Sequence, residues 1–261
     1  MLNSFQPNQS PDYSDNYVPE PWWGNDGENE HPLYSVCVNL NPGKAQSPLQ
    51  TRKNPGVIGI KDYTDLFAVL HETNRWHNDK RALPIRKALM GMPDIPSRAI
   101  DNHLSIELIP WHTEHADSKH GYWVYISQPA VVKAVFDHTF CFASTESGRV
   151  IGPLKDTVLL RFSGEVALRL FSLFKKEGFL LDYEVYSLKV SNPNVHAWVF
   201  TSSTFAGKYF ISIWRSRGYG LNNFPREKDM KQVISSFSLL KSCLAVSKAL
   251  NGEFELIKNI C

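Results

Sequence analysis

No Cys-x-x-Cys pair occurs in this chain of 261 residues, and its four cysteines, Cys37, Cys141, Cys243 and Cys261, are widely scattered. That excludes a zinc ribbon and a cysteine-ligated iron–sulfur cluster. Cys37 falls inside an apolar run and reads as a small buried hydrophobe. No apolar stretch approaches the ~18 uninterrupted residues of a membrane-spanning helix. Met1 to Tyr17 is polar and lacks a charged segment followed by an apolar one, so no secretory signal is expected. Dispersed thiols fit a cytoplasmic protein. A charge excess of either sign is also missing. The formal net charge of +2 argues neither for nor against a nucleic-acid partner, since a local basic groove vanishes in the total. No internal repeat is present, and no Gly-x-Ser-x-Gly elbow marks a hydrolase nucleophile, although Phe162-Ser163-Gly164 sets a serine at a strand-to-helix turn.

What the chain does have is enough apolar material for a sizeable core, with 43% hydrophobic residues against 21% charged. Sixteen prolines and 12% aromatics predict many irregular connections rather than a helical bundle. The most informative stretch is Tyr34-Ser-Val-Cys-Val-Asn-Leu-Asn-Pro-Gly43. A β-branched apolar run there breaks into Asn39, Asn41, Pro42 and Gly43, as a buried strand does when it ends in a polar turn. In open α/β sheets the ligand crevice lies at the carboxyl ends of the strands, so this turn is a site candidate by position. Ordinary turn chemistry would also account for Asn-Pro-Gly. The functional reading gains from later strands that end the same way.

Residues 1–18 read as a flexible polar arm, and residues 19–261 as a single domain. In Pro19-Glu-Pro-Trp-Trp-Gly-Asn25, Trp22 and Trp23 offer too much apolar area to stay in water. They read as a lid over the core or as a wall of the crevice. Residues 61–81 carry apolar positions at helical spacing. Leu104-Ser-Ile-Glu-Leu-Ile-Pro110 is a second strand, running into Trp111 and His112, and Glu107 within it must be exposed or paired. His112, His115, Asp117 and His120 have metal-compatible chemistry, but they lie on a solvated-looking loop with no partner motif elsewhere, so no metal is expected.

Further along, a helix or a helix plus turn around Pro129 is expected over 122–138, and a third strand over Val158 to Phe162. A helix follows from Glu165 to Glu177, with Ser163 as N-cap and Gly178 closing it. Strands are expected over Tyr183–Val190, Ala197–Ser202 and Tyr209–Trp214, then a terminal helix over Met230–Leu250. The last strand runs into Arg215-Ser-Arg-Gly-Tyr-Gly-Leu-Asn-Asn223. There Arg215, Arg217, Tyr219 and Asn222, with two glycines, suit contact with a phosphate or carboxylate.

Taken together, Pro-Glu-Pro-Trp-Trp-Gly-Asn, Asn39-Leu-Asn41-Pro42-Gly43 and Glu107-Leu-Ile-Pro-Trp111-His112 resemble motifs of bacterial proteins related to the uracil-DNA glycosylase superfamily. The resemblance covers roughly residues 19 to 240, and its specific part is confined to these short motifs. It implies an α/β three-layer sandwich, a mainly parallel central sheet flanked by helices, binding DNA across the strand ends. It also implies hydrolysis of the N-glycosidic bond of a flipped base. Asn41 would then orient water, because an amide cannot act as a strong base. His112 and Glu107 would read or polarise the base, and Asn39, Pro42 and Gly43 would shape the pocket. Trp22, Trp23 or Trp111 would stack on the base, and Arg215, Arg217, Tyr219 and Asn222 would hold the nucleic acid. Neither metal nor cofactor is called for, and a monomer without membrane contact is expected.

Two departures bear on the substrate. Glu107 stands where relatives carry an asparagine, and a carboxylate there prefers an amino-bearing base edge to a uracil carbonyl. The late His-Pro-Ser loop has no counterpart, since Arg215 to Asn223 contains no histidine. The alternative reading is therefore a non-catalytic protein that binds nucleic acid or nucleotides on the same sheet. A small-molecule hydrolase using the Ser163 turn is a third.

Overall fold

The computed structural model describes residues 13–14, 22–24, 35–39, 103–108, 112–113, 126–140, 157–216, 226–245 and 254–260. The expected helix over 61–81 lies outside them. Ten strands are present among the described residues. They are β1 (Tyr13–Ser14), β2 (Trp22–Gly24), β3 (Ser35–Asn39), β4 (His103–Glu107), β5 (His112–Thr113), β6 (Thr157–Leu160), β7 (Tyr183–Leu188), β8 (Val195–Thr201), β9 (Tyr209–Arg215) and β10 (Phe254–Ile260). The helices among the described residues are α1 (Pro129–Phe140), α2 (Gly164–Lys176) and α3 (Glu227–Ala245), with a 3₁₀ turn at Ser203–Phe205.

Eight strands form one sheet in the order β10-β7-β8-β9-β6-β3-β4-β2, and β1 pairs with β5 in a separate two-stranded ladder. The class is α/β and the sheet is mixed. Its middle, β9-β6-β3-β4, is parallel throughout. Antiparallel pairs extend it on both sides, β2 beside β4 and the run β9-β8-β7-β10 on the other flank. A mainly parallel sheet thus describes the centre and not the flanks. The antiparallel flank arises because β7, β8 and β9 follow one another through short connections, which antiparallel neighbours permit and parallel ones do not.

Alternating residues of the inner strands feed two cores. Val38, Val158, Leu160, Val185, Phe200 and Phe210 pack with α1 and α2, including Val135, Leu170, Phe171 and Phe174. Their sequence neighbours Leu159, Tyr186, Val199 and Ile211 pack with Met230, Val233, Phe237 and Leu240 of α3. Period-two alternation with both faces apolar is what a strand covered on each side requires. Phe171 anchors the first core, its ring centroid lying 4.8 Å from Phe200, 5.5 Å from Phe210 and 5.8 Å from Tyr183.

The ends of α2 follow from single residues. Ser163 caps it, its hydroxyl accepting from the Val166 N–H at 3.4 Å. At the other end Gly178 takes φ +78°, and the N–H groups of Gly178 and Phe179 donate to the carbonyls of Lys175 and Phe174. That is the Schellman arrangement, which favours glycine at this position. Helix α3 starts earlier than Met230. The buried Asp229 carboxylate accepts from the Arg226 N–H and from the Asn192 side chain, each at 3.3 Å, and fastens the first turn to the segment before β8.

Candidate functional site at the carboxyl ends of the parallel strands

β3 lies between β4 and β6, so the path from β4 to β6 passes over it and the winding direction reverses. Such a reversal opens a crevice outside the carboxyl ends of the strands on either side. The residues at this point are Asn39, which ends β3, and Arg161 to Gly164, which leave β6. The backbone is clamped there from both sides. The Arg161 N–H donates to the Val38 carbonyl at 2.8 Å, and the Leu108 N–H donates to the Asn39 carbonyl at 2.9 Å. Val38 is fully buried and Asn39 half-buried, so the chain passes from core to crevice rim within one residue.

Asn39 pairs in parallel register with Glu107. The ends of the two strands therefore lie side by side, about 4.8 Å apart. β9 carries Arg215 to the same edge of the sheet, three strands from Glu107 and hence about 14 Å across. Arg215 lies opposite Val195, and the Ser216 N–H donates to the Asn194 carbonyl at 2.9 Å, which holds the exit of β9 in place.

Trp22 is opposite Ile106 and Trp23 opposite Ser105, so this pair belongs to a strand added beside β4. Trp22 thereby stands one position from Glu107 in register. His112 belongs to the separate ladder, opposite Ser14. Asn41, Pro42, Gly43, Trp111, Arg217, Tyr219 and Asn222 lie outside the described residues. Among the described residues, no three His, Cys, Asp or Glu side chains gather to hold a metal.

An aromatic group at this edge was not singled out from the sequence. His196 and Trp214 are cross-strand partners whose rings stack at 5.2 Å, and Trp198 meets Trp214 edge-on at the same distance. The start of α2 presses against both indoles. A Cβ placed on Gly164 would lie 2.2 Å from Trp198 Cε3 and 2.6 Å from Trp214 Cη2. The buried Ser212 hydroxyl donates to the Phe162 carbonyl and locks the β6 exit onto β9. The signal was available. His196, Trp198 and Phe200 alternate with Ala197 and Val199, which places them on one face.

A concavity also lies elsewhere. A cleft of about 380 Å³ opens at the start of β9, lined by Asp182, Glu184, Thr201, Ser203, Lys208 and Tyr209 among others. Tyr209 and Arg215 bound the same strand, so this cleft is about 20 Å from the crevice rim. Its acidic groups are already engaged. Asp182 accepts from the Ser203 N–H and hydroxyl, both at 2.8 Å, and from the Ser202 hydroxyl at 3.4 Å. The Ser203 N–H, then its hydroxyl, holds the Asp182 carboxyl below the usual carboxylate range. Glu184 accepts from the Tyr186 hydroxyl at 2.6 Å, and burial, reinforced by that carboxylate, raises the Tyr186 phenol above the ordinary tyrosine value. This network ties strand ends together and leaves the rim across the sheet as the better functional candidate.

Comparison of the chain with models of protein families, with curated proteins and with solved structures finds no match.

Proposed function

We propose that the chain is a divergent uracil-DNA glycosylase-like protein, a three-layer α/β sandwich that hydrolyses the N-glycosidic bond of a flipped, damaged or modified base in DNA. The observation that carries this reading is the winding reversal at β3, whose last residue, Asn39, is in register with Glu107 and is followed in the sequence by Leu40-Asn41-Pro42-Gly43. In the proposed mechanism the Asn41 amide orients a water at the sugar carbon. Rate is gained by positioning and not by proton abstraction. Backbone N–H groups of the turn would stabilise negative charge on the departing base. The Glu107 carboxylate would accept from an exocyclic amino group, which favours amino-bearing bases over uracil, with His112 assisting at the base. A tryptophan from the Trp22-Trp23 pair or Trp111 would stack on the extruded base, an interaction worth about 1–3 kcal/mol. Arg215 and Arg217, with Tyr219 and Asn222, would hold backbone phosphates. The reaction needs neither metal nor organic cofactor, and dispersed thiols suit the cytoplasm.

The test is incubation with oligonucleotides carrying uracil, hypoxanthine, xanthine or alkylated bases, scored for abasic sites. Cleavage of at least one member is expected. With Asn41→Ala it should fall about a hundredfold or more at unchanged melting temperature, the size of loss that misplacing a reactant produces. Binding without cleavage of any member would favour the non-catalytic binder. A loss of stability with activity per folded molecule intact would reduce Asn41 to a turn residue.

A further inference from the structure

We propose that Arg161, at the exit of β6, joins Arg215 in a clamp for a phosphodiester of the nucleic-acid backbone at the carboxyl edge of the sheet. The proposal rests on the reading of this edge as a DNA site, and it adds a residue to which that reading gives no role. The pleat decides which side chains share a face. Leu160 and Phe162 both belong to the core under α1 and α2, so Arg161 between them projects to the opposite face, the one that α3 covers. On β9, Ile213 belongs to the α3 core, while Trp214 meets Trp198 on the other face. Arg215 therefore projects to the α3 face as well. Val38 lies in the first core, which turns Asn39 the same way.

The register then sets the spacing. Leu160 lies opposite Ser212, so Arg161 comes level with Ile213, and Arg215 stands two residues further along β9. The two backbones are about 8 Å apart on that count. On its other side the Arg161 N–H donates to the Val38 carbonyl at 2.8 Å, which brings Arg161 level with Asn39. Two positive charges thus converge beside the end of β3. Both side chains are half-buried, where like charges repel more strongly than they do in water. The acids in the first turn of α3, on the same side of the sheet, are engaged. Glu227 meets Lys231 at 3.1 Å, and Asp229 accepts from the Asn192 side chain and the Arg226 N–H at 3.3 Å. An oxyanion between the two guanidiniums offsets their repulsion. Each guanidinium carries five N–H donors in a planar fork that matches phosphate oxygens, so it can hold a neighbour in the chain and a phosphate at once. The phosphate is a diester because the sugar that Asn41 would serve carries one on either side.

The experiment measures binding of a fluorescent duplex oligonucleotide to the full chain by anisotropy, across a series of salt concentrations. The unmodified chain should bind, with an affinity that falls as salt rises. Arg161→Gln should weaken binding about tenfold and make the logarithmic salt slope shallower by about one, the signature of one lost phosphate contact. Arg161→Lys keeps the charge and loses the fork, so the slope should stay while the affinity falls about threefold. Lys176→Gln removes the same charge at the far end of α2 and should change neither. Thermal melts report the folding of each variant, and affinities are taken per folded molecule. Arg161→Gln binding with the affinity and slope of the unmodified chain would overturn the proposal, and so would a chain that binds no oligonucleotide. Inorganic phosphate that displaces the oligonucleotide at equal phosphate concentration would assign the pair to a free phosphate and overturn it too. A slope lost in Arg161→Gln, with no abasic site formed on any damaged base, would keep the clamp and sink the glycosylase reading alone.

Discussion

Gly164 shows how a single residue shapes the rim of the crevice. Glycine costs up to about 1 kcal/mol relative to alanine in a helix interior and less in the first turn, so on propensity alone Gly164→Ala would be neutral or stabilising. Here the added methyl would meet Trp198 at 2.2 Å and Trp214 at 2.6 Å, and indole rings held in a sheet cannot move aside cheaply. Overlap of this kind typically costs about 1–3 kcal/mol, so it outweighs the propensity gain. Gly164→Ala is therefore expected to lower stability in urea denaturation, with part of the loss recovered when Trp198→Leu is added. A more stable single variant would mean that the indoles are free to shift. Ser163 was legible as an N-cap because the serine precedes a helical pattern with an acid following. The Trp198 and Trp214 contacts were not legible, because they depend on which strands lie next to α2.

The elements themselves were read most reliably where pattern and end signals agree. α2, with Ser163 before it and Gly178 after it, is the clearest case, and β7, β8 and β9 follow closely. β10 escaped because its bulge at Ile257 breaks the period-two pattern a strand is recognised by. β2 escaped because three residues carry no period, and its pairing with β4 is a long-range event. The Ser203–Phe205 turn was equally hidden, since it hangs on Asp182 some twenty residues back in the chain. That turn makes a pH-dependent prediction. The Asp182 carboxyl titrates below its ordinary value of 3.8 in the folded chain because the Ser203 N–H and hydroxyl favour its charged form. A depressed folded value means that the contribution to stability is complete above 3.8 and is lost as pH falls through the folded value. Carboxyl-carbon NMR should place the Asp182 midpoint below 3.8, and Ser203→Ala should return it toward that value. A midpoint at or above 3.8 in the unmodified protein would contradict the anchoring role.

At the scale of the whole molecule, polar tips on separate strands were visible in the sequence, and their sharing of one edge was not. A strand's end is written in local composition. The parallel order β9-β6-β3-β4 is decided by crossovers and by the packing of two cores, and no single window contains it. That order is what makes Asn39 and Glu107 neighbours and aims Arg215 the same way. It also separates the rim from the polar cleft at Asp182 and Tyr209. The two ends of the sheet are far enough apart for solution measurements to tell them apart.

Amide hydrogen exchange with and without bound oligonucleotide, single- and double-stranded, tests that division most directly. Slowed exchange is expected in peptides covering Asn39, Leu108, Arg161 to Gly164 and Arg215 to Ser216, with no change over Asp182 to Glu184 or Thr201 to Tyr209. Protection confined to the Asp182–Tyr209 end, or none at either end, would contradict a site at the carboxyl ends of the parallel strands.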